Sequence, residues 1–216
     1  MRTHPFGAAL LAVAALSFSS CGGGLGSGDP PVIEPFIQTE AGVPALDGYV
    51  LSDGTAVTSG GTPCVGDLDA VENGLGSRQF FAFDISSIPP GSTILRADFF
   101  AQQVGRDGTP HLTHGATTIE AVDYGDTLDG SDFDVPAYGH SEGHLSTDPT
   151  SGFLLDFVDE VQTALDEGRT YAQFRFRCFN FDSDGDGVSD HTIWADSEVG
   201  APAGPTLTIV YLSSLN

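Results

Sequence analysis

Between Phe181 and His191 the chain reads DSDGDGVSD, which places the carboxylates of Asp182, Asp184 and Asp186 at every second position. Gly187 follows as the turn residue, Val188 offers a backbone carbonyl, and Asp190 stands two residues further on. Oxygen donors in this order are those of a calcium-binding loop, where hard ligands surround a hard cation. The twelfth position, where a bidentate carboxylate would close the shell, is Ile193. An ion held here must draw its last ligand from elsewhere, from Asp196, Glu198 or water, and should bind as weakly as extracellular sites do, on the order of 0.1–1 mM. Its role is expected to be structural, because no base stands beside the loop to act on a metal-bound water. The competing reading is a solvated acidic turn, since Asp and Gly favour turns without metal. Against it stands the mutual repulsion of clustered carboxylates, which a cation relieves.

The strand leading into this loop carries a second constellation. Phe174, Phe176 and Cys178 share one face by alternation, and Arg175 and Arg177 share the other, with Phe179 and Phe181 continuing their parity. Guanidinium forks beside aromatic rings could grip the carboxylates and faces of a uronate polymer. The same arginines could equally form an outer face paired with neighbouring Asp and Glu.

Three further groups carry less. His111 and His114, and His140 and His144 near Tyr138, are spaced within reach of a metal, but zinc requires three or four converging ligands. They read as ordinary loop histidines, and no spacing supports a lyase built on Tyr138 and His140. Asp126, Asp129, Asp132 and Asp134 are irregularly spaced and read as a solvated loop, with a second calcium site as the alternative. No phosphate-binding glycine loop, serine nucleophile elbow or membrane-spanning run is evident, so a non-catalytic protein is expected.

The elements that must position these residues are strands. The 216 residues hold 15 Phe and 40% hydrophobic residues, enough for one substantial core, while 28 Gly and 13 Pro mark frequent turns. Period-two runs recur at Tyr49–Val57, Arg78–Ile85, Thr93–Gln102, Thr117–Val122, Tyr171–Asn180, His191–Asp196 and Thr206–Leu212. Such runs between glycine-rich breaks predict an all-β jelly-roll sandwich. One amphipathic helix is expected from Asp156 to Glu167, ending at Gly168. Trp194, the single tryptophan, reads as core or edge packing. The net charge of −23, with seven Arg and no Lys, excludes nucleic acid as a natural partner.

Residues 1–21 read as an export signal: Arg2, an apolar run from Phe6 to Leu16 too short to span a membrane, then small residues before Cys21. Cys21 followed by three glycines resembles the acylated cysteine of bacterial lipoproteins, although Phe18 leaves ordinary signal-peptidase cleavage as an alternative. Residues 22–40 then form a flexible tether and 41–216 a single domain, lipid-anchored at the cell envelope, most simply the outer membrane, or secreted. In that oxidising compartment Cys64 and Cys178 are expected to form a disulfide worth about 4–5 kcal/mol, the alternative being two separate buried thiols.

Several segments together resemble a DNRLRE-type domain. The run RQFFAFDISSIPPGSTILRADF from Arg78 to Phe99 is similar to that family's signature, and Asp47-Gly48-Tyr49-Val50 resembles its first strand. Ser151-Gly152, Leu155–Val158 with the amphipathic helix and Gly168, then Asp196-Ser197-Glu198 and Pro205–Tyr211, are similar to its later segments. The resemblance covers most of Asp47–Leu212. It implies a jelly-roll module of secreted bacterial proteins, some of which bind acidic polysaccharides such as alginate, and it carries over no binding residue.

Overall fold

The computed structural model describes residues 35–58, 63–68, 74–144, 152–197 and 204–213. Most of the period-two runs become strands. In the first half these are β1 (Phe36–Ala41), β2 (Gly48–Leu51), β3 (Ala56–Val57), β4 (Cys64–Asp67), β5 (Gly76–Asp84) and β6 (Thr93–Asp107). A one-turn helix α1 (Pro110–Thr113), β7 (Thr117–Val122) and a 3-10 helix (Gly130–Asp134) follow. The chain continues through β8 (Ala137–His144), β9 (Gly152–Asp156), helix α2 (Val158–Asp166), β10 (Tyr171–Cys178), β11 (Asp190–Trp194) and β12 (Thr206–Leu212).

Every strand pairing among the described residues is antiparallel, and the architecture is the all-β sandwich that the patterning predicts. One layer contains β1, β12, β6 and β9; the other runs β8-β7-β10-β5 and on through β4 and β11, with β2 on β5 and β3 on β2. The long strand β6 belongs to both layers. Residues up to Gln102 pair with β12 and β9, and residues from Gln103 pair with β11.

Alternation along β5 explains how the layers close. Phe81 and Phe83 point into the space between the sheets, where they meet Phe99, Phe157, Phe174, Phe176 and Trp194. Phe99 and Phe174, from opposite layers, stack with centroids 4.9 Å apart and planes at 7°. Truncating any one of these phenylalanines should cost about 3–5 kcal/mol. Trp194 is therefore core, its indole N–H donating to Thr192 Oγ1 at 2.9 Å. The other face of β5, with Phe80 and Ala82, is also covered, by Leu46, Val50, Val122, Tyr124 and Leu128. This central sheet is thus buried on both faces.

Helix α2 lies within the predicted range and buries Val161, Ala164 and Leu165, with Phe157 inserted into the core just ahead of it. Two expectations are corrected. The stretch read as tether includes β1, which pairs along its whole length with β12; its alternation of Phe36, Gln38 and Glu40 with Ile37 and Thr39 leaves mostly exposed side chains, so sequence polarity hid a strand. The acidic stretch 126–134 is not simply solvated. Asp129 accepts from the Ser131 amide, and Asp132, which is buried, accepts from the Asp129 amide. This reciprocal capping, an aspartate version of the capping box, folds the stretch into the 3-10 helix.

Candidate functional site

The acidic loop joins β10 to β11, and its two end aspartates are held by protein partners. Asp182 lies against Gly76, where a Cβ would meet the Asp182 Cβ at 2.6 Å, so only glycine admits it. From there Asp182 Oδ2 accepts from Arg78 Nε at 2.8 Å and Oδ1 accepts from the Cys178 amide at 3.0 Å. Asp190 is buried at the start of β11, where it accepts from the Thr109 amide and from the Thr113 hydroxyl at 2.8 Å, fastening α1. Asp184 and Asp186 are exposed, and each accepts from the backbone amide two residues on, Asp186 N at 3.2 Å and Val188 N at 2.8 Å. Among the described residues no three His, Cys, Asp or Glu side chains converge as a ready metal set. Asp196, suggested above as a closing ligand, instead lies close enough to Asp47 for its charge to raise that carboxyl, and Glu198 lies outside the described residues.

One carboxylate absent from the sequence motif does reach the loop. Asp67, at the end of β4, accepts at Oδ2 from Ser183 Oγ at 2.8 Å and from the Asp184 amide at 3.1 Å. It is fully buried, and its Oδ1 has no hydrogen-bond partner among the described residues. Asp184, Asp186, the Val188 carbonyl and Asp67 thus supply oxygens of the kind a hard cation takes, although the three carboxylates do not converge as a set. No spacing in the sequence signals Asp67; only the β4–β11 register, which sets it opposite Asp190, brings it here.

The arginine strip is not a free surface. Arg175 is directly opposite Glu120 on β7, and it donates from NH2 to Glu120 Oε2 at 2.6 Å and from NH1 to the Val135 carbonyl at 2.7 Å and the Phe133 carbonyl at 3.1 Å. Arg177 donates from Nε to the second Glu120 oxygen at 2.9 Å. Burial alone would raise the Glu120 pKa, but its bonds to Arg175 and Arg177 and their charges outweigh burial and hold it below the usual glutamate range. The segment at 133–135 covers this face, which is why an outward parity produced a buried arginine. Phe179 and Phe181, in contrast, stand 65% and 44% exposed beyond the strand end. The Phe181 ring meets buried His114 edge-on at 5.1 Å, and α1 beside them presents Leu112.

Cys64 and Cys178 are both buried free thiols, which overturns the expected disulfide. In the strand order β4-β5-β10, strand β5 lies between them. Two inter-strand spacings amount to about 9.6 Å, beyond the Cα separation of about 4.4–6.8 Å that a disulfide spans. Burial pushes the Cys64 thiol up to about 11 and that of Cys178 higher still. Tyr138 is half-buried, with the Arg169 guanidinium 4.2 Å from its ring centroid, and burial raises its phenol to about 12. Of His140 and His144 only the backbone, in β8, is described; the His111 Nδ1 lies 3.4 Å from the Gly115 carbonyl. Cys21 lies outside the described residues.

No family model matches the chain, and no curated protein aligns with it.

Proposed function

We propose that this protein is a non-catalytic, extracytoplasmic binding module, anchored to the envelope through Cys21, whose ligand end is the tip formed by the β10–β11 loop and α1. The observation that carries the reading is the exposure of Phe179 and Phe181 there, when nearly all other described phenylalanines are buried or half-buried. Exposed aromatic patches on an otherwise polar surface mark contact sites. Surface or environmental polysaccharide is the ligand class, in keeping with the resemblance to DNRLRE-type domains. Because Arg175 and Arg177 are bound to Glu120 and the chain carries a net charge of −23, a neutral glycan fits this tip better than a uronate polymer. Calcium in the acidic loop acts as a structural clasp that fixes the tip, through the donors that the loop and β4 leave available.

A second reading is favoured by Leu112, 85% exposed on α1, and Val188, 55% exposed in the loop, which extend the aromatic pair with aliphatic surface suited to another envelope protein. Affinity electrophoresis against neutral glycans and alginate, with and without calcium, tests the first reading. Retention by the wild type on a neutral glycan, lost in Phe179→Ala/Phe181→Ala, is the expected result. Retention unchanged in the double variant removes this tip as the glycan site, and the absence of retention on every polymer rejects the glycan reading.

A further inference from the structure

We propose that Asp67 is the ligand that completes the calcium loop, filling from β4 the place that Ile193 cannot fill. The inference rests on the calcium reading above and adds to it a residue outside the motif. Three observations carry it. Asp67 is fully buried, yet its Oδ1 has no partner among the described residues. Its Oδ2 is tied to the loop itself, through the Ser183 hydroxyl at 2.8 Å and the Asp184 amide at 3.1 Å, so the carboxyl is seated against the aspartate series. The Ser183 hydroxyl also approaches the Gly74 carbonyl at 2.7 Å, which fixes the loop over β4 and the start of β5.

A buried carboxylate with one oxygen unpaired is costly, and proteins retain such groups when a cation or cationic side chain meets them. Among the described residues no arginine or lysine forms an ion pair with Asp67. The carboxylates of Asp67, Asp184 and Asp186 do not converge as a set in this structure, so a divalent cation would draw the exposed Asp184 and Asp186 toward Asp67 Oδ1, with the Val188 carbonyl and water completing six to eight oxygens. The end residues Asp182 and Asp190, held by Arg78 and by α1, then act as braces that hold the loop in place. Calcium suits this set better than magnesium, because the ligands come from one strand, β4, and an exposed loop with no octahedral order.

The test is calcium titration by calorimetry, with thermal melts in calcium and in chelator, on the purified protein and on Asp67→Asn, Asp184→Asn and Ser183→Ala. Asp67→Asn should weaken calcium binding at least tenfold and lose the calcium-dependent rise in Tm. In chelator it should melt no lower than the wild type, because the unpaired buried charge is gone. Ser183→Ala, which removes the hydroxyl that seats Asp67 Oδ2 but no metal ligand, should weaken calcium binding less than Asp67→Asn does. If Asp184→Asn abolishes binding while Asp67→Asn binds like the wild type, the calcium reading stands and the assignment of Asp67 falls. If Asp67→Asn melts lower by the same amount with and without calcium, Asp67 is only a hydrogen-bond acceptor and the proposal is overturned. Absence of binding by the wild type removes both. Should Asp67→Asn fail to fold, a crystal structure of the wild type with calcium decides: an ion about 2.3–2.6 Å from Asp67 Oδ1 supports the assignment, and an ion bound without Asp67 overturns it.

Discussion

Arg175 and Glu120 face each other across β10 and β7, with Arg175 NH2 2.6 Å from Glu120 Oε2 and both side chains only 6% exposed. Arg177 takes the other Glu120 oxygen, so one carboxylate bridges two guanidinium groups under a covering loop. Removing the acid leaves a buried cation whose remaining partners are carbonyls. Glu120→Gln should therefore cost about 3–5 kcal/mol, read as a lower urea midpoint. The pH dependence follows from the depressed pKa. The contribution is complete above the unfolded-state value of about 4.3, and it is lost as pH falls through the lower folded-state value. Melts between pH 7 and pH 3 should fall more steeply for the wild type than for Glu120→Gln, and parallel curves would reject the buried pair.

This relationship also marks where the sequence stopped being informative. Alternation put Phe174, Phe176 and Cys178 inward and Arg175 outward, and each parity is as expected, as is the core position of Trp194. What alternation cannot give is whether a second layer covers the outward face. Here that cover comes from residues 123–135, whose acidic composition imitates a solvated loop although its aspartates cap one another. The calcium motif was legible as spacing, but the partners of Asp182 and Asp190 depend on strand order. Arg78 and Thr113 are 104 and 77 residues away from them.

Asp47 should produce the opposite pH trend. It is buried and accepts from the Ala82 amide at 2.9 Å through Oδ1, with Ser197 beside it as a further hydrogen-bond partner. Burial, with a smaller contribution from Asp196, raises its pKa to about 7. Its stabilising effect is whole below the unfolded-state value of about 3.9, and it declines as pH rises through the folded-state value. Asp47→Asn should melt a few degrees above the wild type at pH 8, with the advantage gone near pH 4. An equal shift at both pH values would show that charge is not the cause.

The two buried thiols should be silent in the folded protein. A raised pKa and burial both deny Cys64 and Cys178 the exposed thiolate that reacts. Alkylation at pH 8 followed by peptide mass spectrometry should leave both unmodified under native conditions and label both in denaturant without reductant. A disulfide-linked peptide containing the two residues would contradict the strand order that separates them.

Arg78 links the two loops that shape the candidate site. On one side it donates to Asp182 Oδ2 from Nε at 2.8 Å. On the other it meets Asp134 Oδ1 at 2.8 Å and the Phe133 carbonyl, with its Cζ 3.9 Å from the Phe133 ring centroid. A lysine retains the charge but has neither the planar fork nor the reach to satisfy both sides together. Arg78→Lys should therefore cost about 1.5–3 kcal/mol, the range for hydrogen bonds to charged groups. The loss should appear as faster amide hydrogen exchange in two separate places, residues 130–135 and residues 178–186, with the core of β5 and β10 unaffected. Faster exchange in only one of them would mean that the loops are held independently, and calcium could then fix the acidic loop without any effect on the cover over Arg175.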